Sequence, residues 1–103
     1  MIRWSPAAPA RPGCPHRRLS RLLAAELGED AALGPSTLRP WASANFVGAR
    51  HLFACSGDGA PLDSLRERLA ATEWRLPGHI VADIAVEPGE GPAFTIEILT
   101  VED

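Results

Sequence analysis

The stretch HIVADIAVEPGEGPAFTIEIL, residues 79–99, sets His79, Asp83 and Glu97 into the strands of what reads as a single β-hairpin. Apolar runs on either side of a Pro/Gly turn carry the hairpin signal. Strict alternation puts Ile80, Ala82, Ile84 and Val86 on one face with Phe94, Ile96 and Ile98. The other face then holds His79, Val81, Asp83 and Ala85, with Thr95, Glu97, Leu99 and Val101. With a turn near Gly89 and Glu90, this parity pairs Asp83 with Glu97, Val81 with Leu99 and Ala85 with Thr95. Two carboxylates directly opposed repel by a few tenths to about 1 kcal/mol. On a solvated face that cost is tolerable. On a covered face the pair needs a cation, a shared proton or a metal. Arg39, Arg50 or Arg75 can supply the cation.

That face therefore reads as a partly apolar interface held by arginine–carboxylate contacts, or as a plain solvent face. The alternative is a small-molecule or metal site, as in a minor hydrolase, built from His51, His79, Asp83 and Glu97 with Arg50 nearby. The spacing gives that alternative little support. The chain has no H-x-x-x-H, H-E-x-x-H, C-x-x-C or G-x-S-x-G motif and no P-loop. No catalytic residue, metal or cofactor is expected. His51 and Cys55 are four apart, so they share strand parity, but a lone strand cysteine reads as a small core residue.

The elements that must position these groups follow from periodicity. Residues 1–16, MIRWSPAAPARPGCPH, contain four prolines and read as a flexible leader. The leader is rich in arginine and free of acid, like a targeting peptide, but lacks an apolar secretory core. Residues 17–27 read as a helix, with Leu19, Leu22, Leu23 and Leu27 on one side and Arg17, Arg18 and Arg21 on the other. Residues 28–38 read as a linker punctuated by Gly34-Pro35. Residues 39–56 read as two strands around Val47-Gly48, in a register that leaves the face of His51 open. Residues 61–74 read as a second helix with a Leu62, Leu65, Leu69 stripe, followed by the opening hairpin. Trp41 and Trp74 read as plugs at the ends of the core.

The order α-β-β-α-β-β predicts one α+β domain over residues 17–103. We expect a four-stranded antiparallel sheet with one helix on a face, plus an N-terminal helix available to cover the other. Strand 2 beside strand 4 and strand 1 beside strand 3 both remain open.

Composition narrows the function classes. The 103 residues are 46% hydrophobic and 22% charged, the values of a globular domain. Ten arginines and no lysine match codon bias in a GC-rich bacterial genome, so arginine content alone carries no functional weight. Residues 1–25 hold five arginines and no acid; residues 26–103 hold five arginines against thirteen acids, a balance of −8. A basic segment on an acidic body can bind nucleic acid or fold back on itself. The rest of the chain has no nucleic-acid motif, so nucleic-acid binding is not expected. No apolar run approaches the roughly 20 residues of a membrane span. Two cysteines, Cys14 and Cys55, make no disulfide framework and suit a reducing cytoplasm.

The segments RPWASANFVGARHLF (39–53) and PGHIVADIAV (77–86) resemble small bacterial proteins of GC-rich genomes to which no activity is assigned. The resemblance implies that Trp41, Phe46, Gly48, His51, Gly78, His79 and Asp83 belong to a recurring pattern, and it implies no catalytic residue. Together these readings predict a non-enzymatic binding or structural module that forms a homodimer. Either the His79/Asp83/Glu97 face or the leucine face of residues 19–27 would make the contact.

Overall fold

A computed structural model describes residues 3–4 (backbone only), 14–57 and 61–103. Most of the expected leader lies outside the described residues. The elements are β1 (Arg3–Trp4), α1 (His16–Leu27), β2 (Ala32–Ala42), β3 (Val47–Ser56), α2 (Leu62–Ala71), β4 (His79–Pro88) and β5 (Ala93–Glu102). Four long strands form an antiparallel sheet in the order β2-β3-β5-β4, and the two-residue β1 extends it beside β2. The α-β-β-α-β-β order and the α+β class hold, and strand 2 of the sequence reading lies beside strand 4.

Several expectations need correction. Residues 32–38 are strand rather than linker. Pro35 and Pro40 read as breakers, but β2 is flanked along most of its length by β3 alone, and an edge strand tolerates a residue without an N–H. The Gly34-Pro35 pair falls at a register shift between Leu33 and Ser36. Secondly, the first hairpin turns at Ser43–Phe46 rather than around Val47-Gly48, and it pairs Ala42 with Val47. The Ser43 and Phe46 backbones close this loop with a 2.8 Å bond, and the Ser43 hydroxyl accepts from the Phe46 N–H at 3.2 Å.

The third correction concerns the opening hairpin. A β-bulge at Ala82 shifts its register between Val81 and Asp83. Asp83 therefore faces Leu99, and Glu97 faces Ala85. Ile84 with Ile98 and Val86 with Ile96 keep the expected core parity. Ahead of the bulge the parity inverts: Val81 turns to the core, while Ile80 is 53% exposed.

Both helices pack on one face of the sheet. Leu19, Leu23 and Leu27 of α1 and Leu65 and Leu69 of α2 share a cluster with Phe53, Cys55, Val86, Phe94, Ile96 and Ile98. Burying each such side chain contributes about 1.5–3 kcal/mol. Arginines tie the layer at its margins. Arg68 of α2 donates to the Glu26 carbonyl at the C-terminal end of α1 (2.9 Å), where a cation also suits the helix dipole. Arg66 donates to the Val86 carbonyl at 2.7 Å, and Arg18 donates to the Arg75 carbonyl at 2.8 Å. Thus Arg18, from the basic segment, folds back on the chain's own body. Because α1 joins α2 on this face, it does not cover the opposite face as expected.

Candidate functional site

The sheet separates the residues that the sequence suggested as one site. Side chains directly opposed in an antiparallel pair point to the same face. Arg50 lies between Arg39 and Leu99, and Leu99 faces Asp83, so these four form one row on the helix-free face. The next row is Thr37, Leu52, Glu97 and Ala85. His51 has the other parity and points under the helices, fully buried. His79 pairs with Glu102 ahead of the bulge, on the helix-bearing side with Val81 and Thr100. Arg50, Asp83 and Glu97 therefore share one face, while His51 and His79 belong to the other. Among the described residues, no group of three or more His, Cys, Asp or Glu side chains is placed to hold a metal ion.

On the helix-free face Arg50 forms a salt bridge with Glu97, its diagonal neighbour. Arg50 is thus one of the cations foreseen for the carboxylates, and the bulge moves Asp83 one row away from Glu97. Arg75 pairs with Glu73 instead, at 3.9 Å. Around this ion pair lie half-buried Leu52, Leu99 and Val101 and exposed Ile80. Trp41 packs over Gly48 in the row Trp41, Gly48, Val101, Ile80, so it caps this face rather than the end of the core. Trp74 packs against the core and donates to the Leu69 carbonyl at 3.1 Å. A cleft of about 290 Å³ opens beside the bulge between Trp74, Thr72 and Asp83, and among the described residues Asp83 is its one ionisable lining residue.

Beneath the helices lies a polar chain that the sequence did not disclose. His16 Nε2 meets Ser36 Oγ at 2.8 Å, His16 Nδ1 meets His51 Nδ1 at 2.8 Å, and His51 Nε2 meets Thr100 Oγ1 at 2.9 Å. The Thr100 hydroxyl reaches the Ala49 carbonyl at 3.4 Å. One proton placement satisfies every atom. Thr100 donates to Ala49, His51 Nε2–H donates to Thr100, His16 Nδ1–H donates to His51, and Ser36 donates to His16. Both imidazoles are then neutral. Burial is the main cause that holds the His51 pKa down at about 3, with His16 and then His79 adding to it; burial also lowers that of His16. The two rings stack on each other and on Phe53, with centroids 5.1 Å apart for the pair and 5.5 Å for His16 and Phe53.

A serine, a histidine base and a second orienting group resemble a hydrolytic triad in outline. Here the orienting group is a buried neutral imidazole. It offers no negative charge to stabilise an imidazolium on His16, as the carboxylate of a working triad does. The chain instead pins the start of α1 to the centre of β3. Cys55 shares the face of His51, as its parity implied, with Phe53 between them. Burial pushes its thiol up to about 11, far from a reactive thiolate.

The signals for this chain were faint. Alternation of His51 with Phe53 and Cys55, and of Thr100 with Ile98 and Ile96, marks both as inward. His16 was hidden by its place among prolines. No family model matches the chain, and no curated protein or solved structure matches it.

Proposed function

We propose that this protein is a non-enzymatic module that self-associates through the helix-free face of its sheet. The carrying observation is that both helices lie on one side, which leaves Leu52, Leu99, Val101 and Ile80 around a central Arg50–Glu97 pair on the other. Four strands about 4.8 Å apart and eight residues rising about 3.3 Å each give a face of roughly 500 Å² before side-chain relief. A standard interface removes about 800 Å² of accessible surface per partner, so this face is of the right order for a second copy. The polar chain serves the fold by fixing α1, and so keeps the helices off the interface.

Sedimentation velocity of the full chain tests the reading. The wild type should sediment as a dimer, and Leu99→Glu as a folded monomer. A wild-type monomer at every concentration reached would refute it. So would a Leu99→Glu dimer, which would move the contact to another surface.

A further inference from the structure

From the charge pattern of this face we infer that the dimer is built on a two-fold axis parallel to the strands, passing between β3 and β5. The inference rests on the self-association proposed above. On the helix-free face, β2 and β3 carry Arg39 and Arg50 and no acid, while β4 and β5 carry Asp83, Glu87 and Glu97 and no base. The face is thus positive on one side and negative on the other.

Only some symmetries accept such a surface. An isologous contact sets one patch against its own image. If the in-plane axis runs across the strands, each strand lies over its own copy. Arg39 then meets the partner's Arg39, and Asp83 the partner's Asp83. If the axis runs along the strands, left and right exchange. The row Arg39, Arg50, Leu99, Asp83 then lies over the same row reversed, so Arg39 sits over the partner's Asp83.

The same operation acts at the centre. Arg50 on β3 and Glu97 on β5 are diagonal neighbours one row apart. After the rotation, the partner's Glu97 lies in line with Arg50 and one row along. Each Arg50 falls between two carboxylates and each Glu97 between two guanidinium groups, a closed ring of alternating charge about the axis. In the outermost row Trp41 comes over the partner's Ile80, which covers the most exposed large apolar side chain of this face. The register shift at Ala82 makes this possible, because without it Ile80 would point under the helices.

Charge reversal tests the axis. Arg39 and Asp83 are both exposed, so their substitution should leave the monomer folded, as circular dichroism will show. The dissociation constant would be read by sedimentation equilibrium on the full chain. Arg39→Glu and Asp83→Arg, taken singly, each create two like-charge contacts per dimer and should weaken it roughly tenfold or more. The double variant restores opposite charges and should return the constant to within about threefold of wild type, with a matching salt dependence. A dimer that ignores both single changes, or is weakened further by the double change, overturns the axis while self-association stands. A wild-type monomer overturns both. In that case, if deleting residues 1–13 produces a dimer, the face belongs to the chain's own N-terminal segment.

Discussion

Acidification should loosen this protein through the buried imidazole of His51. The side chain is fully buried, donates to Thr100 and accepts from His16, and its folded pKa is held near 3. In the unfolded chain the same imidazole titrates near 6.5. Below that pH the unfolded state binds a proton that the folded state refuses, so stability falls. It is complete above about pH 7 and is lost as pH drops from 6.5 towards 3. At pH 5 the unfolded histidine is about 97% protonated, which costs about 2 kcal/mol. The full separation between about 3 and 6.5 is worth about 5 kcal/mol at 1.36 kcal/mol per pH unit. The electrostatic neighbours that bear on His51 are His16 and His79, both basic, and the lowered pKa of His16 works in the same direction. Urea unfolding followed by tryptophan fluorescence at pH 7.5 and pH 5 measures the effect. His51→Gln keeps a polar, neutral partner for Thr100 and should lose at least half of the pH-dependent drop. It should also be less stable than wild type at pH 7.5. Equal wild-type stability at both pH values would refute the buried neutral assignment. An undiminished slope in His51→Gln would place the titrating group elsewhere.

Two further predictions concern tight packing. A Cβ on Gly48 would overlap the Thr100 carbonyl oxygen and come within 3.0 Å of Trp41 Cζ2. Gly48→Ala should therefore cost about 3 kcal/mol or more and lower the Tm by roughly 12 °C or more; a melt within a few degrees of wild type would contradict the close approach. In thiol labelling at pH 8, half-buried Cys14 should react while buried Cys55, raised to about 11, should stay slow until urea unfolds the chain. Two fast thiols in the folded protein would deny its burial.

The helices were legible because four leucines in α1 and three in α2 recur at helical spacing, and no other element accommodates that pattern. The β4–β5 pairing was legible only in part. Ile80 and Val81 are both apolar, so the stretch before Ala82 fits either parity, and period-two reasoning has no means of placing one extra residue. That single residue moves Asp83 away from Glu97 and takes His79 off their face. The β2 strand was hidden by Gly34, Pro35 and Pro40, because breaker chemistry describes local preference and not position in a sheet. His16 was lost for a related reason: Pro15 reads as leader, yet a proline next to the first helical residue is compatible with a helix start. The polar chain joins residues 16, 36, 51 and 100, and only the tertiary fold brings such distant positions together.

The two faces of the sheet divide the work of this small chain. On the helix-bearing side the polar groups are already engaged: two imidazoles, two hydroxyls and a carbonyl form one hydrogen-bonded line, and arginines hold the margins of the layer. Loss of His51 or Thr100 would strand a buried donor or acceptor at a cost of about 1–3 kcal/mol, which fits a role in fastening the fold. On the other side Arg39, Asp83 and Glu87 stand exposed around half-buried aliphatics. A chain of 103 residues buries too little surface to leave apolar area idle without consequence. In the proposed dimer a second copy turned about an axis along the strands would cover that area and set Arg39 against the partner's Asp83, so assembly would continue the packing that the fold of one chain begins.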